Sequence, residues 1–522
     1  MAKNQTPSGT LMDKLTALCK RRGIVFPSSE IYGGVGSTYD YGPPGVEIKN
    51  NIARLWWKEM TLQHDEIVGL DSAIILHPKV WETSGHVKEF HDPMVECTNC
   101  RRRIRLDDYA SECYQIFMAQ SRRIANAFEP GEVISPSVLA EDSPERKIWE
   151  KLLGLVEFQN ATGIRFTNAE ANALIIEYVL NHHNQCSSCG AKNSLLPPRQ
   201  FNLMLKTHIG PIEDDSSLAY FRPETAQGIY LDYKIVQETS RLKIPFGIAQ
   251  IGKAFRNEIT TQRFIFRTRE FEQMEMQYFV KPGTTADWLE KWKERRWNWY
   301  LSLGINPARL RWHQHEPEKR AHYAQDAWDI EYEFPFGWSE LEGVHDRGGF
   351  DLTAHAQATE PDKEPNESKL AYFDDETRER FIPHIVETSA GLNRTMLMVL
   401  CDAYREDVQA GEERVYLALH PKIAPTKAAI FPLVKKDGIA DISRDIYQSL
   451  KGKWQVFYDE QGSIGKRYRR QDELGTPFCF TIDYQTKEDG TVTVRWRDTL
   501  KQERIAKDSI ADYLTGQLGH RQ

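Results

Sequence analysis

Residues 252–279, GKAFRNEITTQRFIFRTREFEQMEMQYF, are the key to the fold because they contain two strand-like runs joined by an arginine-rich segment. The second run alternates two sets of side chains, and neither set is wholly apolar or wholly charged. One set is Phe271, Gln273, Glu275, Gln277 and Phe279, and the other is Glu270, Glu272, Met274, Met276 and Tyr278. Since successive residues of a strand point to opposite faces, both faces of the predicted hairpin carry charged or amide groups.

We predict that Arg256 and Glu258 share one face of the first strand, because they are two residues apart. Residues 259–267 are then a loop, and Arg269–Val280 are the returning strand. The shared face carries Arg256, Glu258, Phe271, Gln273 and Glu275. Such groups bind phosphate, stack on a base and accept hydrogen bonds from an amino group, which predicts a nucleotide site. The residues alone leave one alternative open, a solvated edge hairpin with surface ion pairs.

Length and composition restrict the class of protein. A chain of 522 residues is too long for one ordinary domain, so we expect two or three. Hydrophobic residues make up 40% and charged residues 27%, a globular profile.

No run of about 18 apolar residues exists, so we expect no membrane partner. Residues 1–15 lack the apolar region of a secretory signal, so we expect a cytoplasmic protein. The net charge of −8 means that nucleic-acid contacts must come from local patches.

Two C-x-x-C pairs, Cys97 with Cys100 and Cys186 with Cys189, predict a structural zinc site with four thiolate ligands. Free thiols and disulfides are the alternatives, and a reducing compartment disfavours disulfides. Because the pairs are far apart in the chain, residues 96–197 are predicted to be an insertion that zinc clips at its base. From residue 411 onward, helix-like and strand-like segments alternate, which predicts a separate α/β domain over residues 411–522.

Several segments of the chain resemble segments of the dimeric glycyl-tRNA synthetases, a family of class II aminoacyl-tRNA synthetases. They occur in the same order as in that family. FRNE followed by FRTREFEQMEMQYF resembles motif 2, and GLNR resembles motif 3 of that class. The other segments are SGHVKEFHDPMVEC, FNLMLKTHIGP, YFRPETAQGIYLDYK, IPFGIAQIGKAFRNE, ELEGVHDRGGFDL, ETSAGLNR and GSIGKRYRRQDELGTPF. Together they cover most of the chain outside the insertion.

The resemblance implies an α+β fold with an antiparallel catalytic sheet flanked by helices. Residues 1–95 are the N-terminal part of the catalytic domain with motif 1, and residues 198–410 are the part with motifs 2 and 3. Residues 96–197 are the zinc-clipped insertion, and residues 411–522 are an α/β anticodon-binding domain. The implied activity is glycine–tRNA ligation: glycine and ATP give glycyl-adenylate, and the glycyl group passes to the 3′ end of tRNA-Gly. The implied assembly is a homodimer.

The resemblance assigns ATP with Mg²⁺ to the hairpin and to motif 3. Arg256 holds the α-phosphate, Glu258 lies near adenine and ribose, and Phe271 stacks on adenine. Arg394 binds the γ-phosphate, and Glu340 ligates Mg²⁺ or contacts ATP. Arg256, Glu258 and Arg394 are the implied catalytic residues. The implied ATP-binding residues are Arg256, Asn257, Glu258, Phe266, Arg267, Thr268, Arg269, Glu270, Phe271, Glu340, Leu341, Gly391, Leu392, Asn393 and Arg394.

Glycine offers no side chain to bind, so selectivity must come from its ammonium and carboxylate groups and from blocking room for a methyl group. The resemblance implies that Glu224, Glu275 and Glu387 surround the ammonium group, and that Ser389 lies where an alanine methyl group would intrude. The implied glycine-binding residues are Arg105, Glu224, Phe271, Glu272, Gln273, Met274, Glu275, Glu387, Thr388, Ser389, Ala390 and Gly391. The alternative is that these acids are ion-pair partners of nearby arginines.

The resemblance places the basic stretch of Lys466, Arg467, Arg469 and Arg470 in the anticodon-binding domain, where it is expected to meet tRNA phosphates. The alternative is a solvated basic turn. Thr388, Asn393 and Pro44 depart from the residues more common in the family.

Two other functions compete with the main prediction. A nucleic-acid-binding accessory protein on the same fold, like the DNA polymerase accessory subunit, has no need of the ATP residues together. A synthetase for another small amino acid is disfavoured by the acids that resemble the glycine site.

Overall fold

The structure is a computed structural model that describes residues 9–124, 142–152, 168–258, 263–317, 320, 324–409 and 411–518. The chain folds into two compact units. The first, the main unit, comprises Met1–Ser84, Leu205–Arg256 and Thr261–Gln522, and the second, the insertion unit, comprises Gly85–Met204 and Asn257–Thr260. Among the described residues, no helix is long and apolar enough to cross a membrane.

The N-terminal segment packs two helices against the core of the main unit. Thr10 and Asp13 form a capping box that starts the first helix, and Gly23 ends it with a left-handed backbone. The second helix starts at Pro43, and Gly45 allows its close approach, since an added Cβ would lie 1.8 Å from the carbonyl oxygen of Ile24. The elements are α1 (Leu11–Arg22), β1 (Val25–Pro27), β2 (Tyr39–Tyr41), α2 (Pro43–Leu62), β3 (Ile67–Gly69), β4 (Ile75–Leu76) and α3 (Pro78–Thr83).

The insertion unit has its own small sheet and core. Its elements are α4 (His86–Glu89), β5 (His91–Glu96), β6 (Arg103–Arg105), α5 (Leu106–Ile124), α6 (Asn168–His182) and β7 (Arg199–Asn202), and residues 144–152 are also helical. β5 pairs antiparallel with β6 and with β7. Because this pairing joins the two chain ends of the unit, the unit extends beyond the predicted boundaries of 96 and 197 on both sides.

The main unit is built on a seven-stranded sheet with the order β12-β13-β14-β17-β11-β10-β3. Its pairs are antiparallel except for β10 with β3. The elements after the insertion are β8 (Lys206–His208), β9 (Leu218–Phe221), α7 (Ala226–Thr239), β10 (Phe246–Phe255), β11 (Glu270–Val280), α8 (Thr285–Ser302), β12 (Leu310–Gln314), β13 (Asp326–Phe334), β14 (Gly337–Gly348), α9 (Phe350–Thr359), β15 (Tyr372–Phe373), β16 (Arg380–Phe381), β17 (His384–Gly391), α10 (Leu392–Ala403) and β18 (Tyr404–Gln409).

One face of this sheet, the core face, packs against α1, α2, α8 and α10 in the largest apolar cluster. The core face also contains a buried ion-pair network. Arg296 of α8 is fully buried, and its Nε donates to Glu342 of β14 while its Nη1 donates to Glu59 of α2, both at 2.6 Å. A charge with hydrogen-bonded partners of opposite sign is tolerated inside a core. The tryptophans of α8 lie in the same apolar cluster or pack against it.

The C-terminal part of the main unit is the predicted α/β domain. Its elements are β19 (Glu412–Leu417), β20 (Ala428–Pro432), α11 (Ile439–Leu450), β21 (Val456–Tyr458), α12 (Ile464–Leu474), β22 (Phe478–Ile482), α13 (Tyr484–Asp489), β23 (Thr491–Trp496), β24 (Gln502–Ala506) and α14 (Ile510–Leu518). Its five-stranded sheet has the order β21-β20-β22-β23-β24. The strand β19 is not part of this sheet, since it pairs with β18 in a hairpin. The apolar residues of the sheet and of α11 and α14 form a separate core.

Candidate active site

The two faces of β11 have different partners, which explains its mixed pattern of side chains. Glu275 lies opposite Gln250 of β10 and Ser389 of β17, and these three residues share the face that we call the site face. The site face also carries Phe271, Gln273 and Gln277 from β11, Glu387 and Gly391 from β17, and Gly343 and His345 from β14. The helices α7 and α9 pack at one end of this face. A polar strand face is therefore buried against other polar groups.

Arg256 lies beside the aromatic ring of Phe271, as the nucleotide hypothesis requires. Its guanidinium carbon lies 5.2 Å from the centre of the Phe271 ring, and its Nε donates to the carbonyl oxygen of Pro223 at 3.1 Å. The prediction that Arg256 and Glu258 share a strand face is wrong, because β10 ends at Phe255. The backbone N–H of Arg256 donates to the carbonyl oxygen of Arg269, and after this bond the chain leaves the ladder.

Asn257 and Glu258 belong to the insertion unit, where the N–H of Asn257 donates to the carbonyl oxygen of Leu203 at 2.8 Å. Glu258 is buried. Arg105 also belongs to the insertion unit and occupies the last position of β6, opposite Met94. Residues 259–262 of the expected loop lie outside the described residues.

Arg394, at the start of α10, lies between a carboxylate and an aromatic ring. Its Nη1 lies 3.1 Å from Glu340 Oε2, its Nε donates to the carbonyl oxygen of Phe266, and its guanidinium carbon lies 4.5 Å from the centre of the Phe266 ring. Arg394 lowers the pKa of Glu340, with smaller contributions from His345 and Arg256. Glu340 is therefore an ionised and half-exposed carboxylate beside Arg394.

A chain of hydrogen bonds joins the predicted glycine acids. The amide nitrogen of Gln277 donates to Glu275 Oε1 at 2.8 Å and to Glu387 Oε2 at 2.7 Å. The hydroxyl of Thr225 donates to the second oxygen of Glu275. Glu224 accepts a hydrogen bond from Gln227 at 3.2 Å. The sequence interpretation did not identify Gln277, although its place in the period-two pattern of Gln273 and Glu275 is the signal that would have found it.

Arg347 is a second residue that the sequence interpretation missed. It is buried at the end of β14, where Nη1 donates to Glu387 at 2.9 Å and Nε and Nη2 donate to Asp351 of α9. Gln227 also donates to Asp351, at 3.1 Å. The alternation Gly343, His345, Arg347 within ELEGVHDRGGFDL would have placed Arg347 on the site face.

The acids of the site differ in their protonation. Burial raises the pKa of Glu275 well above its usual range, and the charges of Glu387 and Glu224 raise it further. Burial opposes ionisation of Glu387 as well, but Arg347 and His345 outweigh it and lower its pKa to about 2. Burial lowers the pKa of His345, but its contacts with Asp329 and Glu387 raise it to about 9. The site face thus combines one fixed carboxylate with one that binds a proton readily.

Four of the expected glycine residues have side chains that the structure does not bring together with Glu275. Glu272, Met274, Thr388 and Ala390 alternate with the residues of the site face and point to the core face. Glu272 pairs there with Lys49 of α2, and the other three are buried in the core. Because a strand alternates its side chains, only the backbone of these residues borders the site.

Several expected ATP residues also have structural roles. Leu341 and Leu392 are buried in the main apolar cluster, and Asn393 accepts a hydrogen bond from the N–H of Glu272 and donates one to the Tyr41 hydroxyl. The hydroxyl of Thr268 donates to the carbonyl oxygen of Glu270. Three more of these residues lie at or near the surface: Arg267 ends the 3-10 turn Phe264–Phe266, the N–H of Arg269 donates to the carbonyl oxygen of Ser37, and Glu270 pairs with Lys253.

The four cysteines of the two C-x-x-C pairs converge in the insertion unit. Sγ of Cys97 lies 3.8 Å from that of Cys189, and Sγ of Cys100 lies 3.8 Å from that of Cys186. Tetrahedral zinc with Zn–S bonds of about 2.3 Å separates its sulfur ligands by about 3.8 Å. The arrangement is compatible with zinc.

The basic stretch of the C-terminal domain lies on α12. Arg467 is buried, and its Nη1 donates to the carbonyl oxygen of Pro432 at 2.6 Å. The expectation that Arg467 meets tRNA phosphate is therefore wrong, because the side chain holds α12 against β20. Arg469 and Arg470 pair with Glu412 and Asp459, and Lys466 is exposed.

Comparisons with known proteins agree with this geometry. Residues 211–403 match the tRNA synthetase class II core domain (G, H, P, S and T), and residues 427–517 match the anticodon binding domain. The chain is 48% identical to the glycine–tRNA ligase of Treponema denticola, over 96% of this chain and 95% of that protein. The chain belongs to the glycine–tRNA ligase family. The corresponding enzymes of Borreliella burgdorferi and Thermobifida fusca are 46% and 45% identical, over 96% and 97% of this chain and 96% and 98% of their own lengths.

As a member of the glycine–tRNA ligase family, the chain is an aminoacyl-tRNA ligase. The predicted family, fold class and enzyme class are confirmed. A class II core requires ATP and Mg²⁺, and the anticodon-binding domain implies a tRNA partner.

Proposed function

We propose that this chain activates glycine with ATP to glycyl-adenylate and transfers the glycyl group to tRNA-Gly, with both reactants bound along the site face. The observation that carries the proposal is the order of side chains on β11. Phe271 with Arg256 stands at one end, and Glu275 with Glu387 stands further along the same face. Phe271 and Glu275 are four positions apart on the strand, which is about 13 Å, so a nucleotide and an amino acid can lie end to end.

In the first step, a carboxylate oxygen of glycine attacks the α-phosphorus of ATP, and pyrophosphate leaves. The main obstacle is the repulsion between two approaching anions, so cationic side chains supply most of the catalysis by neutralising negative charge. Arg256 would neutralise the α-phosphate, Phe271 would stack on adenine, and Arg394 would bind the γ-phosphate. None of these roles needs a general base, because a carboxylate is already ionised at neutral pH.

In the second step, a terminal ribose hydroxyl of the tRNA attacks the glycyl carbonyl carbon, and AMP leaves. The C-terminal domain would bind the anticodon. We place this reaction in a homodimer in the cytoplasm, where tRNA charging supplies translation.

Glycine selectivity would come from both ends of the small substrate. Glu275, Glu224 and Glu387 would surround the ammonium group with acceptors, and charge-assisted hydrogen bonds of this kind are strong. Ser389, opposite Glu275 on β17, would occupy the space that a methyl group needs. Exclusion of a methyl group by bulk can exceed the roughly 1–3 kcal/mol that merely missing one methylene provides.

Two metals fit the residues present. Glu340 is an ionised carboxylate beside Arg394 and offers the oxygen ligand that Mg²⁺ prefers. When bound with ATP, Mg²⁺ supplies further neutralisation of phosphate charge. Cys97, Cys100, Cys186 and Cys189 have the spacing of a structural zinc site, which would hold β5 and the segment after α6 together.

The decisive experiment is pyrophosphate–ATP exchange with purified full-length protein. We expect exchange that depends on glycine, and loss of exchange in Arg256→Ala. Arg311→Ala is the matched control, because Arg311 is an exposed arginine of β12 that pairs with Glu331, and it should retain exchange. Exchange driven by alanine or serine in place of glycine, or no amino-acid-dependent exchange at all, would contradict the proposal.

A further inference from the structure

Three ligand-type side chains that the proposed function does not use meet at the outer strands of the main sheet. His315 directly follows β12, Asp329 lies in β13 and His345 lies in β14. Asp329 is paired with Gly343, and His345 with Glu387, so Asp329 and His345 are on the site face. Three neighbouring strands thus contribute one group each to a cluster that we call the His–Asp–His cluster.

The distances within the cluster suit a small cation. His315 Nε2 lies 2.7 Å from Asp329 Oδ2, and His345 Nε2 lies 3.4 Å from Asp329 Oδ1. All three side chains offer a ligand atom within 4.8 Å of the other two. Nitrogen and oxygen ligands of tetrahedral zinc, at about 2.0–2.2 Å from the ion, are separated by about 3.3 Å. The His345–Asp329 pair is already at this separation, whereas His315 Nε2 is hydrogen-bonded to Asp329 Oδ2 and must move away by about 0.6 Å for both atoms to bind one ion.

The second nitrogen of His345 faces another acid. Its Nδ1 lies 3.3 Å from Glu387 Oε1. Both ring nitrogens of His345 face carboxylates, so a metal ion would displace the proton that Nε2 directs to Asp329, and Nδ1 would keep its proton towards Glu387. At metal sites, a carboxylate commonly orients a histidine ligand through its other ring nitrogen in this way.

The backbone makes room for this arrangement. A Cβ added to Gly343 would lie 2.6 Å from Cε1 and 2.7 Å from Nε2 of His345. Only a residue without a side chain allows the ring to lie across the strand towards Asp329. The side chains of His315 and His345 are 29% and 20% exposed while that of Asp329 is 9% exposed. The cluster is therefore anchored on one side and open on the other, where water can complete a coordination sphere.

We propose that the His–Asp–His cluster binds one divalent transition-metal ion, with zinc as the favoured ion, separately from the four cysteines and from the Mg²⁺ that accompanies ATP. A site of two imidazoles and one carboxylate binds first-row transition metals in preference to Mg²⁺. The ion sits next to the amino-acid end of the site face, because His345 touches Glu387, and it holds His345 in the orientation that meets Glu387. The proposal does not depend on which amino acid is activated.

Cobalt(II) bound to the full-length protein tests the proposal, since cobalt bound by thiolates has an intense charge-transfer band that cobalt bound by nitrogen and oxygen lacks. Protein treated with a chelator and then titrated with Co²⁺ should take up an ion with a nitrogen-and-oxygen spectrum, whether or not the thiolate band also develops. His315→Asn and Asp329→Asn should lose that ion and leave the thiolate band unchanged. His208→Asn is the matched control, because His208 is an exposed histidine whose Nδ1 lies 3.0 Å from the Ser217 hydroxyl, away from the cluster.

Melting curves recorded without metal establish that each variant is folded, and His315 is a half-exposed residue beyond the end of its strand, so its replacement should not unfold the sheet. The proposal is overturned if the wild-type protein binds cobalt only through thiolates. It is equally overturned if the nitrogen-and-oxygen spectrum persists in a folded His315→Asn or Asp329→Asn variant. Loss of the spectrum in the two cluster variants but not in the control supports it.

Discussion

Arg347 donates a hydrogen bond from Nη1 to Glu387 Oε2 at 2.9 Å, and the arginine is only 2% exposed. This contact fixes Glu387 as a carboxylate inside the protein. Glu275, one hydrogen-bond step away through Gln277, accepts instead from the uncharged side chains of Gln277 and Thr225. The two acids of the proposed ammonium site therefore have pKa values shifted in opposite directions, and a bound ammonium group should lower the pKa of Glu275.

Binding of a non-hydrolysable glycyl-adenylate analogue should release a proton. The raised pKa of Glu275 means that the empty site favours its protonated carboxyl group, whereas an ammonium group favours the carboxylate. Affinity should accordingly increase as pH rises towards the raised pKa. Calorimetric titrations in buffers with different ionisation enthalpies measure the released proton. Glu275→Gln should abolish the release, whereas Glu272→Gln, on the opposite face of the same strand, should retain it. Binding by the wild-type protein with no proton release would contradict this prediction.

Arg347→Met should both destabilise the protein and weaken glycine binding. The substitution leaves Glu387 and Asp351 buried without their cation, which costs about 3–5 kcal/mol of unfolding free energy. Denaturant unfolding measures the stability, and the KM for glycine in pyrophosphate exchange measures the site. We expect a raised KM for glycine with a smaller change in the KM for ATP.

Arg296→Met is the matched control for this prediction. Arg296 is equally buried and equally ion-paired, with Glu342 and Glu59, but it lies on the core face. It should lose comparable stability while the folded enzyme keeps its KM for glycine. Equal changes in KM for the two variants would show that Arg347 acts only through stability.

Ser389→Gly should relax the discrimination against alanine. Removing the side chain opposite Glu275 makes space for one methyl group, so alanine-dependent exchange should increase relative to glycine by about 10- to 200-fold. The ratio of kcat/KM for the two amino acids measures the effect. Thr388→Ser is the control on the same strand, because Thr388 faces the core, and it should leave the ratio unchanged. An unchanged ratio in Ser389→Gly would remove Ser389 from the selectivity mechanism.

Cys186→Ser should lower the zinc content of the purified protein by one ion per chain and reduce the melting temperature. The reason is that structural zinc contributes folding free energy through all four ligands. Elemental analysis and thermal melting measure the two effects. Cys113→Ser changes another buried cysteine of the same unit that lies outside the cluster, and its zinc content should equal that of the wild type. Full zinc content in Cys186→Ser would argue against the four-cysteine site.

Much of this architecture is predictable from local patterns. The hairpin strands, the cysteine pairs and the alternating C-terminal segments are determined by neighbours close in sequence, and β11 begins within one residue of its expected start. The side-chain assignments are less accurate where they depend on strand ends. Their spacing predicts that Arg256 and Glu258 share one strand face, but β10 ends at Phe255 and the chain leaves the ladder after the backbone bond of Arg256. No local pattern indicates that departure.

The amino-acid sequence alone is enough to establish the family, the two-part catalytic and anticodon-binding organisation and the residue types of the site, because ordered motifs are a property of the chain. Which residues face the reactants depends on the tertiary structure. The register between β11, β17 and β14 joins Glu275, Glu387 and His345 on one face and sends Glu272 and Thr388 to the other. Arg347 and the His–Asp–His cluster likewise depend on strands distant in sequence, whose pairing is set by packing of the whole sheet.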